Sequence, residues 1–191
     1  MPETLRPENR MRITPRTLIG TVGTVIRTRS SIGYMLGSGV VMGGLIGFIL
    51  SIQQIFFDVF DAQAFFPIGF ALIAGSMGLG SLINSRLVSR FGARRLSQGA
   101  LILFVLIAMV HLTIILSGRE TLVTFTILQA MSMMTVAFTA SNFSAISMEP
   151  FSKGAGIASS FQAFLTTAVS SALGTVIGRA SDLRRGARCD D

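Results

Sequence analysis

The sequence predicts an all-α membrane protein, and three observations carry that expectation. Charged residues make up 13% of the 191 positions, about half the roughly 25% usual in soluble domains. They are also confined: residues 30–57, 62–85, 96–118, 121–148 and 154–178 contain no Asp, Glu, Lys or Arg. Each of these stretches exceeds the ~20 residues that a helix rising about 1.5 Å per residue needs to cross a ~30 Å hydrocarbon core. Five transmembrane helices are therefore expected within 30–178, preceded by a basic segment at 1–29 and followed by a short polar tail at 179–191. The lipid bilayer is the solvent. This composition excludes a soluble enzyme, a disordered chain and a β-barrel, whose strands would be ~10-residue alternating segments.

The first element is short. Over 16–29, Leu18, Ile19, Val22, Val25 and Ile26 fall on one helical stripe with arginines at both ends, the pattern of an amphipathic helix lying in the headgroup region. An ordered juxtamembrane linker is the other reading, since Gly20 and Gly23 weaken the helix. The first long run, 30–57, carries Gly39, Gly43 and Gly47 every fourth residue, and a polar edge of Gly44, Gly47, Ser51 and Gln54 beside Gln53. The second, 62–85, has Ser76, Gly80 and Asn84 in line. The third, 96–118, is apolar nearly all round and reads as a lipid-facing helix. The fourth, 121–148, sets Gln129, Ser132, Thr135, Thr139 and Asn142 on one face at steps of three and four. The fifth, 154–178, repeats this with Ser159, Gln162, Thr166 and Ser170, continued by Gly174 and Gly178.

Two readings of these stripes stand side by side. Small and hydroxylated residues at helical spacing let membrane helices pack closely. Amides are different: Gln or Asn left in lipid without a partner costs kilocalories, so they also mark solvated paths. Gln53, Gln54, Gln129, Asn142 and Gln162 are accordingly the candidates for lining a substrate path. His111 is the one side chain inside a run that ionises near neutral pH; it either relays protons or bonds a neighbouring helix or the outer interface. Asp58, Asp61, Glu120 and Glu149 all sit at junctions, so no carboxylate is expected at membrane depth.

Orientation follows from the junctions. Arg6, Arg10, Arg12, Arg16, Arg27 and Arg29 precede the first run, 58–61 holds no Lys or Arg, and Arg86, Arg90, Arg94 and Arg95 follow the second run. Cytoplasmic loops accumulate Lys and Arg, so the N-terminus is expected in the cytoplasm and the chain in the inner (plasma) membrane. The tail runs against this pattern, because five crossings export Arg179, Arg184, Arg185 and Arg188. Either a short exported tail tolerates these arginines, or this end is frameshifted or truncated.

The net charge of +7 does not imply a nucleic-acid partner, since the arginines flank apolar runs instead of interleaving with aromatics on an accessible face. Residues 1–12 are polar where an apolar targeting core would stand. One His and one Cys, Cys189, exclude a Cys/His metal cluster and an internal disulfide. With no phosphate loop and no Gly-x-Ser-x-Gly, neither enzymatic activity nor a cofactor is expected.

The junctions also read as motifs. Ser85-Arg86-Leu87-Val88-Ser89-Arg90-Phe91-Gly92-Ala93-Arg94-Arg95-Leu96 resembles the Gly-x-Leu-x-Asp-Arg-Phe-Gly-Arg-Arg loop of the major facilitator superfamily. PETL at 2–5 resembles the start of that family's central loop. Pro150-Phe151 with Ala155-Gly156-Ile157-Ala158-Ser159-Ser160 resembles the start of the eleventh helix in its Bcr/CflA drug-efflux branch. The resemblance maps the five runs onto helices seven to eleven, a partial C-terminal half-bundle of the major facilitator fold. It implies a drug:proton antiporter exporting small organic compounds, with protons as the second substrate. Arg86, Arg90, Gly92, Arg94 and Arg95 are then a cytoplasmic gating loop. Ser89 stands where the motif has Asp, and Ala93 where it has Arg, so the loop lacks the acid through which the family latches it to a helix end. By this mapping the chain needs the missing N-terminal six-helix half and does not transport alone. The alternative is a stand-alone, non-transporting membrane protein that self-associates with another copy or pairs with a separately encoded half through its glycine faces.

Overall fold

The computed structural model describes residues 15–151 and 154–189, with side chains over 18–151 and 154–176. Residues 1–14 and the side chains of Arg16, Lys153 and the tail arginines lie outside this range. Among the described residues six α-helices follow one another: α1 (Pro15–Arg27), α2 (Arg29–Gln54), α3 (Phe66–Phe91), α4 (Ala93–Leu116), α5 (Leu122–Met148) and α6 (Ala155–Cys189). No strand occurs among the described residues. The spans Arg29–Val59, Gln63–Phe91, Ala93–Leu116 and Leu122–Met148 are long and apolar enough to cross a membrane. The fifth, more hydroxyl-rich run lies on α6, which continues as helix through the expected tail to Cys189. The fold class is thus that of an all-α membrane protein.

The breaks between helices have local causes. Gly92, at φ +80°, is the single residue between α3 and α4; the left-handed region it occupies favours glycine. Gly118 (φ +67°) and Gly154 (φ +82°) turn the chain after α4 and before α6. The Thr121 hydroxyl caps α5 by accepting from the Thr124 amide, and the Thr124 side chain answers at the Thr121 amide, which satisfies donors that a helix start leaves open. The end of α2 widens into a π-helical turn at Ile55–Val59. There Phe56 is fully buried against Phe65, Phe66 and Phe125. Gly69 makes room for that ring, since a Cβ at Gly69 would lie 2.6 Å from it.

Packing is centred on α5, which lies against α2, α3 and α4, while α6 packs mainly on α2. In the most apolar 18 residues of α5, 44% of positions are buried, against 11% in α4. With its outer face open along almost its whole length, α4 has the lipid-facing character expected of a helix without a polar stripe. The close approaches run through glycine. Gly39 faces Val169 and Gly43 faces Ser170 and Leu173 across the α2–α6 contact; Gly80 faces the Met134 backbone across α3–α5. The glycine face of α2 is thus engaged within the chain. Van der Waals packing of small residues drives such associations, because lipid offers no hydrophobic gain between helices. On α1, Val25 is buried with Met35, Phe151 and Ala158, while Ile19 and Ile26 remain exposed.

Candidate functional site

The antiparallel arrangement gives the bundle two distinct ends. The starts of α2, α4 and α6 meet the ends of α3 and α5 at one of them, with Arg29, Arg86, Arg90, Arg94 and Arg95; the aromatic cluster around Phe56 lies at the other, beside the junction that carries Arg119.

Between α2 and α4, floored by α5, is a cavity of about 600 Å³. Its walls are apolar, formed by Leu45 and Phe48 of α2, Phe104 and Leu112 of α4 and Val136 of α5. Four polar side chains interrupt them: His111, Gln129, Ser132 and Thr139. Thr139 donates to the Thr135 carbonyl at 2.9 Å, whereas the Gln129 amide and the Ser132 hydroxyl have no hydrogen-bond partner among the described residues. An apolar pocket with a few convergent polar groups is the usual form of a small-molecule site, and the half-buried Gln129 amide is open there to a ligand's polar group.

His111 reaches back from the last turns of α4 to the residue preceding the α5 cap. Its Nε2 lies 2.6 Å from Glu120 Oε1, and both side chains are largely shielded, at 16% and 20% exposure. The ring also packs beside Phe125, 5.8 Å between centroids. His111 therefore bonds the neighbouring helix's approach and lines the cavity at once. Spacing along α4 alone does not reveal this pair. The signal is the short Ser117–Thr121 turn, which folds a carboxylate back over the last turns of the helix.

The other amides are placed differently. Asn142 is buried and donates through Nδ2 to Asn84 Oδ1 at 2.8 Å, joining α5 to α3. Gln162 accepts from the Ser147 hydroxyl at 3.0 Å and donates to Ser144 Oγ at 2.9 Å, joining α6 to α5. Gln53 is exposed and Gln54 half-buried near the end of α2, and neither lines the cavity. Of the five candidate amides, Gln129 alone faces it.

At the arginine end, Arg86 and Arg90 close α3, and Arg94 and Arg95 open α4. Arg90 lies over the Phe91 ring, 5.8 Å from its centroid. Arg94 Nη2 meets Glu149 Oε2 at 3.0 Å across 55 positions of sequence. The loop that lacks its own acid is thus latched to the end of α5 by Glu149. Both partners are about two-thirds exposed, so this is a positional tie of at most ~1 kcal/mol and not a stabilising core element.

The chain is similar to the "Uncharacterized MFS-type transporter YdgK" of Bacillus subtilis (strain 168), with 25% identity over 179 residues. The match covers 92% of this chain but 44% of the relative, so the chain spans less than half the length of the curated protein it matches. No family model matches the sequence. No solved structure matches it either. The similarity accords with the multi-pass membrane character of the described helices.

Proposed function

We propose that this chain supplies helices seven to eleven of a drug:proton antiporter of the Bcr/CflA type, with α2 to α6 in those places and the α3–α4 arginine loop on the cytoplasmic side of the plasma membrane. One observation carries the reading: a chain similar over most of its length to a transporter holds an apolar cavity of about 600 Å³ into which one amide, Gln129, faces with no hydrogen-bond partner among the described residues. Its cargo is an amphipathic organic compound, its apolar body against Phe48 and Phe104 and one polar group on Gln129 and Ser132. Protons as the counter-substrate rest on the sequence resemblance. Transport in such proteins works by rocking two halves about a midplane site, so the second six-helix half is the required partner and these helices alone are inactive. Engagement of Gly39 and Gly43 within the chain supports this over self-association through the same face.

Ethidium efflux from cells tests the reading. Cells expressing this chain alone should retain ethidium like the vector control, and co-expression of an N-terminal six-helix half should restore proton-dependent export. Gln129→Ala should then cut export severalfold. Proton-driven export by the chain alone refutes the need for a second half; unchanged export by Gln129→Ala refutes the cavity.

A further inference from the structure

A second feature of the arginine end is independent of what is transported. A cavity of about 510 Å³ beside Gly92 is lined by Arg94, Arg95 and Glu149. Below it, between α4 and α5, an almost wholly apolar groove of about 470 Å³ runs past Gly99, Leu103 and Ile107 on one side and Met134 and Phe138 on the other. The two share Phe91 and Arg95, so a charged chamber opens into an apolar trough on the lipid-facing flank of the bundle. From Arg95 to Ile107 is twelve helical residues, about 18 Å at 1.5 Å per residue, close to the ~15 Å depth of one leaflet. Glu149 holds Arg94, but Arg95 has no ion-pair or hydrogen-bond partner among the described residues. With Arg86 and Arg90 on the preceding turns, positive charge dominates this end of the described structure.

We propose that this chamber and groove bind one anionic phospholipid, its phosphate on Arg95 with Arg94 beside it, and one acyl chain in the trough between α4 and α5. Charge complementarity selects the headgroup and the one-leaflet depth selects the tail, which sets this occupant apart from a free anion or a second protein copy. Basic pockets between membrane helices recognise anionic headgroups in this way.

The full chain, purified in non-ionic detergent with phosphatidylglycerol or phosphatidylcholine of equal chain length, is examined by native mass spectrometry for retained lipid. Phosphatidylglycerol should be retained at least tenfold better. Arg95→Gln should weaken its retention about fivefold, the effect of one basic residue near a membrane surface. At Gly99 an added Cβ meets nothing within 4 Å, so Gly99→Leu fills the trough without disturbing the helix and should abolish retention at unchanged charge. Circular dichroism of both variants verifies the fold. Equal retention of the two lipids, or retention unaffected by Gly99→Leu, overturns the assignment. So does displacement of the lipid by millimolar inorganic phosphate, or a dimer that Gly99→Leu dissolves.

Discussion

Substituting Gly80 by alanine tests how closely α3 and α5 approach. The added methyl would lie 2.8 Å from the Met134 carbonyl oxygen and 3.2 Å from its Cα, and backbone cannot rotate away as a side chain can. Restoring an ordinary 3.4 Å contact parts the helices by about 0.6 Å, and overpacking on this scale costs about 1–3 kcal/mol. One turn to either side, Ser76 donates to the Ala130 carbonyl at 2.8 Å and Asn142 to Asn84 at 2.8 Å. Both would stretch to about 3.4 Å, outside good hydrogen-bond range, losing about 0.6 kcal/mol each. Better helix propensity returns about 1 kcal/mol. The net expectation is a loss of about 1–3 kcal/mol. Gly78→Ala, where a Cβ meets nothing within 4 Å, is the matched control and should be neutral or stabilising. Equilibrium unfolding in mixed micelles, followed by helicity, measures both. A Gly80→Ala protein as stable as Gly78→Ala would mean that the helices do not meet at this point.

Other contacts yield sharper readouts. A double-mutant cycle on Asn84→Ala and Asn142→Ala should show coupling of about 0.5–1.5 kcal/mol, and additivity would contradict the buried amide pair. In a Cys189→Ser background, G43C with L173C should crosslink on mild oxidation in native membranes, since a Cβ at Gly43 would lie 2.9 Å from the Leu173 Cβ and parting the helices by about 1 Å brings the pair to the ~3.8 Å of a disulfide; persistent free thiols would place α6 elsewhere. His111→Leu and Glu120→Gln should be non-additive in thermal stability, each stranding a shielded partner at about 1–3 kcal/mol. Glu149→Gln, by contrast, should change stability by less than ~1 kcal/mol, and any effect should fade in high salt.

The helices announce themselves in the sequence because charge is so costly in lipid: uncharged runs of membrane length leave few alternatives. The exposure of α4 follows the same logic, as a helix with no polar stripe has nothing to turn inward. Pairing is harder to read. The fourth run shows that Gln129, Ser132, Thr139 and Asn142 share a face, but not that Asn142 meets Asn84 while Gln129 faces a cavity. Helical spacing fixes angle around one axis, whereas partnership depends on where the neighbouring helix lies. Gln162 illustrates the point, its acceptor and donor both taken by serines of α5. The π-helical turn at Ile55–Val59 is equally silent, since it coincides with the seating of Phe56 over Gly69, a contact between two different spans.

The wiring of these contacts has a mechanical consequence. At the arginine end, α3 and α4 are joined by one glycine and rest on α5, while α6 leans on α2; the two groups meet chiefly along the α2–α5 seam. The bundle is thus built of two packed groups that share one main seam. The Arg94–Glu149 tie joins the start of α4 to the end of α5, and the same two helices form one wall and the floor of the cavity. The loop and the cavity therefore share α4 and α5 as common walls, so a substitution that shifts either helix is felt at both.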